Sequence, residues 1–476
     1  MSGPIRRPGS ENATRPVGGT EYSWCRAVPG GTGITVIALL LRQPPDMRNL
    51  QNALEKLHNY HPILRSKLRF DAPTNTFSFL TLPPLAASHV QIQTFNSSST
   101  AEILRSTDDL SGEPHRIILE HELNNNTWTD PERWIDGEAS VFFVSLYDLG
   151  DGECDSRRCV VTFRLHTAAC DRTAAVTLLR DFLEAVTAEG DGGAAEEKAE
   201  EISPAIEDLI PTGKANKPFW ARGMDVLGYS LNALRFSNLD FVEAESPKES
   251  QVVRMQMNRD ETRKLVASLL LHECDGRGMK LWAAIAAAGM ISAHSSKNLP
   301  EKQREKYAVV TLMDCRPILE PPLISKDFGF YHSGILHTHD LTEEETLWDL
   351  AERLNSSFTT LKNSDKHFTD MPDLNFLMCK AIENPRLTPS SSLRTALISV
   401  FEDPVFDAST GQVLRDKGVE DYLGCSSVHG VGPSIAVFDT MRDGCLDCMC
   451  VYPSPLHSRD QMQGLVQSMK AILLDT

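Results

Sequence analysis

Strand-like and helix-like patterns alternate along both halves of this chain, and no other feature limits its fold as strongly. In the first half, an apolar run over residues 33–41 predicts a buried strand, and leucines at helical spacing over 46–60 predict an amphipathic helix. In the second half, an alanine-rich helix over 279–295 precedes a predicted strand over 307–314. Strands that alternate with helices bury their apolar faces in mixed layers. The sequence therefore predicts two α/β layers of similar size.

The charge balance limits the partners that we expect. Lysine and arginine number 47 against 65 aspartates and glutamates, which gives a formal net charge of −18. A surface this acidic repels nucleic-acid phosphates and anionic lipids, so we expect neither a nucleic-acid partner nor a membrane partner. The 11 cysteines are spread along the chain, and residues 1–19 lack the apolar stretch of a signal peptide. We therefore expect free thiols and a cytoplasmic location.

Three short strings occur in order, each on a predicted element. Residues 61–65 (HPILR) follow the amphipathic helix, residues 163–171 (FRLHTAACD) run from a strand end into a helix, and residues 314–317 (DCRP) end a later strand. In this order, the strings resemble the CoA-dependent acyltransferase superfamily, which includes chloramphenicol acetyltransferase, the plant BAHD acyltransferases and the condensation domains of peptide synthetases. The resemblance covers about residues 20–476 and looks like a divergent, plant-type, condensation-like member.

The resemblance implies an α/β fold of two chloramphenicol-acetyltransferase-like lobes, each a mixed sheet with flanking helices, with an active-site channel between them. Residues 1–19 would form a disordered tail, and residues 20–186 the N-terminal lobe. Residues 187–240 would form an acidic linker and crossover, since 187–208 hold eight acidic residues and one lysine. Residues 241–476 would form the C-terminal lobe. Similar proteins of this size often act as monomers, and we expect a monomer here.

The resemblance also implies an enzyme that moves an acyl group from acyl-CoA to a hydroxyl or amine of a small, specialised metabolite. Acyl-CoA would be a co-substrate, and we expect no permanently bound cofactor and no metal. In active members, a histidine at a strand end acts as general base, because the pKa of imidazole lies near working pH. By motif position, Asp171 would pair with Arg316 of the second lobe and shape the loop that presents this histidine. Asp171 also precedes a predicted helix and suits its N-cap.

The chain departs from the HxxxD motif of this superfamily at the catalytic position. Alignment on Asp171 places Thr167 where the catalytic histidine belongs, with His166 one residue earlier and Arg172 in place of the usual glycine. Adjacent side chains of a strand point to opposite faces, so a shift by one residue is a large change. Threonine has a hydroxyl group but no useful basicity near neutral pH. His166 and Thr167 are therefore the candidate catalytic residues, with Asp171 beside them.

Three hypotheses follow from this departure. A bulge at the strand end could turn His166 into the channel, so that ordinary acyl transfer is preserved. Alternatively, acyl transfer is lost, and the chain is a cyclase, an isomerase or a small-molecule binding protein. In the third hypothesis another histidine supplies the base, and the candidates are His332, His337, His339 and His429.

We also expect three residues to line the channel. They are Tyr331, His332 and His429.

Overall fold

The computed structural model describes residues 13–84, 90–106, 112–151, 157–187, 201–233, 236–245, 248–272, 279–297, 303–385, 393–407 and 411–475. The strands are β1 (Ala13–Pro16), β2 (Thr32–Leu41), β3 (Ser66–Asp71), β4 (Thr76–Thr81), β5 (Ile92–Phe95), β6 (Glu138–Ser140), β7 (Phe142–Asp151), β8 (Arg157–His166), β9 (Glu249–Met257), β10 (Glu305–Asp314), β11 (His332–Leu341), β12 (Ile398–Phe401), β13 (Val405–Asp407), β14 (Val419–Val428), β15 (Ile435–Arg442) and β16 (Cys445–Ser454). The helices are α1 (Gly19–Ala27), α2 (Met47–Tyr60), α3 (Ser97–Arg105), α4 (Pro114–Asn124), α5 (Arg172–Thr187), α6 (Phe219–Ala233), α7 (Arg259–Leu271), α8 (Leu281–Ser295), α9 (Leu347–Asn363), α10 (Lys366–Thr369), α11 (Met371–Glu383), α12 (Gly411–Asp416) and α13 (Arg459–Leu474).

Local chemistry explains where the first long elements begin. The Asp46 carboxylate caps α2 by accepting hydrogen bonds from the backbone amides of Arg48 and Asn49, both at 3.0 Å. The apolar stripe of α2 then packs against α5. All ten residues of β2 are buried, as expected of a central strand with both faces covered.

The strands form three sheets in two lobes. A five-stranded sheet has the order β14-β2-β8-β7-β5, and a four-stranded sheet has the order β1-β4-β3-β6. These two sheets and α1–α5 make the N-terminal lobe. A seven-stranded sheet has the order β11-β10-β12-β15-β16-β9, with β13 paired to β15, and forms the C-terminal lobe with the later helices. The five- and seven-stranded sheets mix parallel and antiparallel pairs. The predicted α/β fold of two lobes with mixed sheets is therefore confirmed.

The strand β14 crosses from one lobe to the other. It lies in the second half of the chain, within the range 241–476 that the sequence suggested as the C-terminal lobe. It nevertheless pairs with β2, from Val419 opposite Leu41 to Val428 opposite Thr32. An apolar cluster that includes residues of β2, α4, β9, β14 and β16 continues this contact across the lobes. The chain division at residue 241 therefore differs from the spatial division, because strand pairing over such a sequence distance leaves no local pattern.

Two stretches that were expected to be irregular contain regular structure. Within the expected tail 1–19, Ala13–Pro16 form β1, which pairs with β4. Within the expected linker 187–240, Phe219–Ala233 form α6, which packs against α11. A four-residue strand is too short to show a period, and α6 is held by its tertiary partner. Residues 1–12, 188–200 and 234–235 of these two stretches lie outside the described residues.

The most apolar helix belongs to the core. Helix α8 is buried along nearly its whole length, where it packs against α9 and α13. Its small side chains allow this close approach. Among the described residues, no helix is both long enough and apolar enough to cross a bilayer.

Candidate active site

A cavity of about 180 Å³, here called the interlobe cavity, lies between the two lobes. The strands β2 and β14 form one side of it, and β12 and β15 form the opposite side. The lining is mostly apolar because these strands present core-facing side chains to it. The apolar members include Val36, Ile37, Leu179, Leu312, Val405 and Phe438. Its polar members come from the strand-end motif predicted from the sequence and from the strands β2, β11, β12, β14 and β15.

Asp171 lies at one side of this cavity and joins the two lobes. Its Oδ1 accepts a hydrogen bond from the backbone amide of Ala174 at 2.8 Å, so it caps α5. Arg316 donates to both of its carboxylate oxygens, at 2.8 and 3.1 Å, and the backbone amide of Tyr331 donates to Oδ2 at 2.7 Å. Burial alone would raise the pKa of the Asp171 carboxyl, but Arg316 and His332 outweigh burial and hold it well below its usual range. Asp171 is therefore a carboxylate at any physiological pH.

His332 lies at the start of β11, where it lines the interlobe cavity. Its Nδ1 is 3.0 Å from Oδ2 of Asp171, and its ring meets the edge of Phe401 with centroids 5.8 Å apart. This contact is within ion-pair distance, but Nδ1 makes no well-aligned hydrogen bond to the carboxylate. The pair His332–Asp171 therefore places an imidazole beside a buried carboxylate at the cavity wall.

His332 also lies where two cavities meet. A smaller cavity of about 80 Å³, here called the side cavity, lies between α1 and α11. The two cavities share Trp24, Leu312, Phe330 and His332 in their walls. A group bound in either cavity would therefore lie against the same imidazole.

His166 lies away from the interlobe cavity, in the hydrophobic interior beside Trp128. Its Nδ1 accepts a hydrogen bond from the backbone amide of Ala168 at 3.1 Å, and its ring packs edge-on against Trp128 at 5.2 Å. Burial lowers the pKa of His166 to about 3. The pairing of β8 with β2 is regular from Cys159 to His166. The structure therefore lacks, in this stretch, the bulge that would have turned the His166 side chain toward the cavity. Thr167, the next residue, lines the cavity instead.

Thr167 is the first member of a chain of hydroxyl groups along the cavity. Its Oγ1 is 3.0 Å from Oγ1 of Thr35, which is 2.8 Å from Oγ of Ser426. All three residues line the interlobe cavity. The role of Thr35 and Ser426 was missed from the sequence. A threonine that interrupts the apolar run of β2 is the one local signal for Thr35, whereas Ser426 reaches the cavity only because β14 crosses to the N-terminal lobe.

The structure places the other proposed channel residues elsewhere. Tyr331 donates from its hydroxyl to the carbonyl of Pro204 at 2.9 Å, and the Arg316 guanidinium lies 4.8 Å from the centre of its ring. Nδ1 of His429 is 3.0 Å from Oγ of Ser250, at the far end of β14. Neither residue belongs to the described lining of the interlobe cavity. Both support the loops around the cavity from outside.

His337 and His339 lie in the interior of the C-terminal lobe. Nδ1 of His337 is 2.8 Å from Nε2 of His339, and the other ring nitrogen of His337 is 3.0 Å from Oγ1 of Thr311. Burial lowers the pKa of His337 to about 3 and the pKa of His339 to about 4. These contacts are those of a satisfied core pair, so His332 is the candidate that the structure brings to the cavity.

One acidic cluster has the spacing of a metal site. Carboxylate oxygens of Asp225, Asp370 and Asp373 lie close together. The Lys217 ammonium fills the space between them, at 2.6, 2.7 and 2.6 Å respectively. These carboxylates are therefore paired with side chains of the protein itself, since Lys366 also contacts Asp225 and Asp370.

The architecture matches solved structures over nearly the whole chain. The TRI3 trichothecene 15-O-acetyltransferase from Fusarium sporotrichioides superposes with a TM-score of 0.70 at 12% identity, covering 98% of this chain and 96% of that one. Polyketide synthase associated protein 5 from Mycobacterium tuberculosis gives 0.62 at 17% identity, with 97% and 96% covered. The epimerization domain from the third module of tyrocidine synthetase B gives 0.58 at 12% identity, with 99% and 98% covered. This chain has the acyltransferase and condensation-domain fold.

The acyltransferase and condensation-domain fold is thus recognised through structure. Scans against protein-family models and against curated proteins gave no match. The resemblance that the three sequence strings indicated is confirmed at the level of the fold. The plant-type assignment stays a prediction.

Proposed function

We propose that this protein transfers an acyl group from an acyl-CoA thioester to a hydroxyl or amine of a small molecule. The reaction would take place in the interlobe cavity. The observation that carries the proposal is the pair His332–Asp171, with Nδ1 and Oδ2 at 3.0 Å, at the junction of the interlobe cavity and the side cavity. The fold is compatible with this reaction, and the pair supplies the general base that the position of Thr167 lacks.

In the proposed reaction His332 acts as general base and then as general acid. Its Nε2 takes the proton of the acceptor hydroxyl or amine as the acceptor attacks the thioester carbonyl. The tetrahedral intermediate then collapses, the carbon–sulfur bond breaks, and the imidazolium returns the proton to the leaving thiolate. The products are the acylated acceptor and free CoA thiol. Asp171, 3.0 Å from Nδ1 of His332, stabilises the imidazolium through its negative charge, as a buried carboxylate does beside other histidine bases.

The hydroxyl chain has a separate part in this proposal. The Oγ1 of Thr167 can donate or accept a hydrogen bond but cannot serve as a base. Thr35 fixes its orientation through the contact at 3.0 Å, and Ser426 holds Thr35 in turn at 2.8 Å. We therefore assign Thr167 a positioning role toward the substrate oxygen atoms rather than proton transfer.

The test compares two histidine variants with the wild-type protein. Binding of acetyl-CoA is measured by calorimetry, and turnover is measured as release of free thiol, with and without a panel of small alcohols and amines. We expect His332→Gln to bind the thioester and to lose turnover by about a hundredfold or more. His166→Asn should keep turnover, because its side chain lies outside the cavity. Loss of turnover in His166→Asn with full turnover in His332→Gln would contradict the assignment.

A non-acylating protein of this fold is the second candidate. It is favoured by the presence of Thr167 at the position of the usual catalytic histidine and by the small, mostly apolar cavity. A cyclase, an isomerase or a small-molecule binding protein predicts ligand binding without thiol release. Absence of acetyl-CoA binding in the experiment above, with a small apolar ligand still bound, would favour this candidate.

A further inference from the structure

We infer that Arg172 forms a fixed wall of the interlobe cavity and restricts its contents to a short apolar group. Taken with the proposed function, on which this reading rests, the acyl donor would carry a short and uncharged chain. The sequence showed Arg172 only as a replacement for the usual glycine. The structure shows what this side chain does in the space that a glycine would leave open.

Arg172 is held at three places in the C-terminal lobe. Its guanidinium donates to the Asp439 carboxylate at 2.9 Å and also to the backbone carbonyl of Asp439. It donates to the carbonyl of Asp403 at 3.2 Å, and the guanidinium carbon Cζ lies 4.2 Å from the centre of the Phe401 ring. Only 9% of the side chain is exposed. A buried guanidinium with these contacts is fixed in position rather than mobile.

These contacts place Arg172 across the boundary between the lobes. Its backbone begins α5 of the N-terminal lobe, whereas Phe401 ends β12 and Asp439 lies on β15. Arg172 and Phe401 both line the interlobe cavity. The side chain therefore spans the gap between α5 and the seven-stranded sheet and forms part of the cavity wall.

The remaining space sets the size of the group that can enter. Pockets that hold drug-sized ligands have volumes of about 300–1,000 Å³. The interlobe cavity has about 180 Å³. Val36, Leu179 and Phe438 are among its apolar lining residues, and most of the lining surface is apolar. A charged group would therefore lose more hydration there than the few hydroxyl groups of the wall can replace. A short apolar chain matches both the volume and the lining.

The experiment uses two homologous series with the full-length protein. The first series is acetyl-, butyryl-, hexanoyl- and octanoyl-CoA, and the second is ethanol, butanol, hexanol and octanol, which need only the apolar cavity. Affinities are measured by calorimetry and by ligand-observed magnetic resonance. The variants are Arg172→Ala and the double variant Arg172→Ala/Asp439→Asn, in which no buried carboxylate is left without its partner.

Two control variants separate cavity size from other effects. Asp439→Asn keeps the Arg172 side chain in the wall but removes its charged partner, so it tests the link between the lobes alone. Arg180→Ala removes a half-exposed arginine from the same helix, α5. Both should keep the chain-length preference of the wild-type protein. Near-ultraviolet circular dichroism reports whether each variant is folded.

We expect wild-type affinity to fall from the four-carbon members to the six- and eight-carbon members of both series. In the folded double variant, affinity for the hexanoyl or hexanol members should rise by about tenfold or more relative to the shorter members, because each added methylene buried is worth about fourfold. Equal wild-type affinity for all chain lengths overturns the inference, and so does a folded double variant with an unchanged preference. If alcohols show the shift while no CoA thioester binds, the inference stands and the proposed acyl transfer falls.

Discussion

At the scale of single residues, one step along a strand decides which histidine can act. His166 and Thr167 are neighbours, and only Thr167 faces the interlobe cavity. His332 reaches this cavity from a different strand and meets Asp171 there. The sequence motif has threonine instead of histidine at position 167, and in our proposal a residue far away in the chain supplies the base. In the same proposal His166 is a structural residue, which has a measurable consequence for stability.

We predict that His166 lowers the stability of the fold in acid. Its pKa is about 3 in the folded state, so between about pH 6.5 and pH 3 the unfolded chain binds a proton that the folded chain does not. The stability that this histidine contributes is therefore complete above about pH 6.5 and is lost as the pH falls. His166→Asn keeps an acceptor for the Ala168 amide but does not titrate. Its free energy of unfolding should fall less, by about 2 kcal/mol, between about pH 7 and pH 5.

Urea unfolding at the two pH values measures this difference. The control is His272→Asn, the same substitution at an exposed histidine at the end of α7. Equal pH dependence in wild type and His166→Asn would show that His166 is not buried as described.

At the scale of elements, the turn before β2 is built against the end of β14. Gly31 has φ = 93°, in the left-handed region that favours glycine. A Cβ atom built there would lie 1.8 Å from Nε2 of His429. The preceding residue, Gly30, has open space around its Cβ position. The two strands that pair across the lobes therefore also fit together at their ends through a glycine and a histidine.

Gly31→Ala should destabilise the protein by about 2–4 kcal/mol, the sum of backbone strain and overlap with the histidine. In the double variant Gly31→Ala/His429→Ala the overlap disappears, so the alanine at position 31 should then cost only about 1–2 kcal/mol relative to His429→Ala. The free energy of unfolding in urea checks both values. Gly30→Ala is the matched control. An equally large loss in Gly30→Ala would argue against this account of the turn.

At the scale of the whole molecule, a buried ion pair and a crossing strand hold the two lobes together. Asp171 from the N-terminal lobe and Arg316 from the C-terminal lobe share two hydrogen bonds, at 2.8 and 3.1 Å. Their side chains are 1% and 2% exposed. Strand β14 adds the backbone hydrogen bonds of its antiparallel pairing with β2. We therefore expect the lobes to unfold together.

Arg316→Met should cost about 3–5 kcal/mol, because it leaves the buried Asp171 carboxylate without its charged partner. The additional change Asp171→Asn should restore part of this loss. The exposed pair Arg263–Asp260 offers a control, since Arg263→Met should cost at most about 1 kcal/mol. Urea unfolding followed in the far and near ultraviolet gives these values. Two separate transitions in the wild-type protein would contradict joint unfolding of the lobes.

Much of the local structure follows from the sequence. The helix expected over 46–60 is α2, and the strand expected over 307–314 lies within β10. Such segments carry their period in consecutive residues, so neighbours in the sequence suffice to recognise them. The helix α6 was not predicted, because it lies in a stretch, 187–240, whose first residues are acidic and indicate a linker. The short strand β1 has no period of its own to detect.

The sequence by itself determined the α/β class, the order of the main elements and the fold, through three strings that each lie at the end of one element. Only the tertiary structure decided that β14 belongs beside β2, that Thr167 rather than His166 faces the cavity, and that His332 meets Asp171 at 3.0 Å. The physical reason is the distance along the chain between the residues that interact. Local periodicity records which face of an element is apolar, whereas a site between two lobes depends on register and pairing between residues that are distant in the chain.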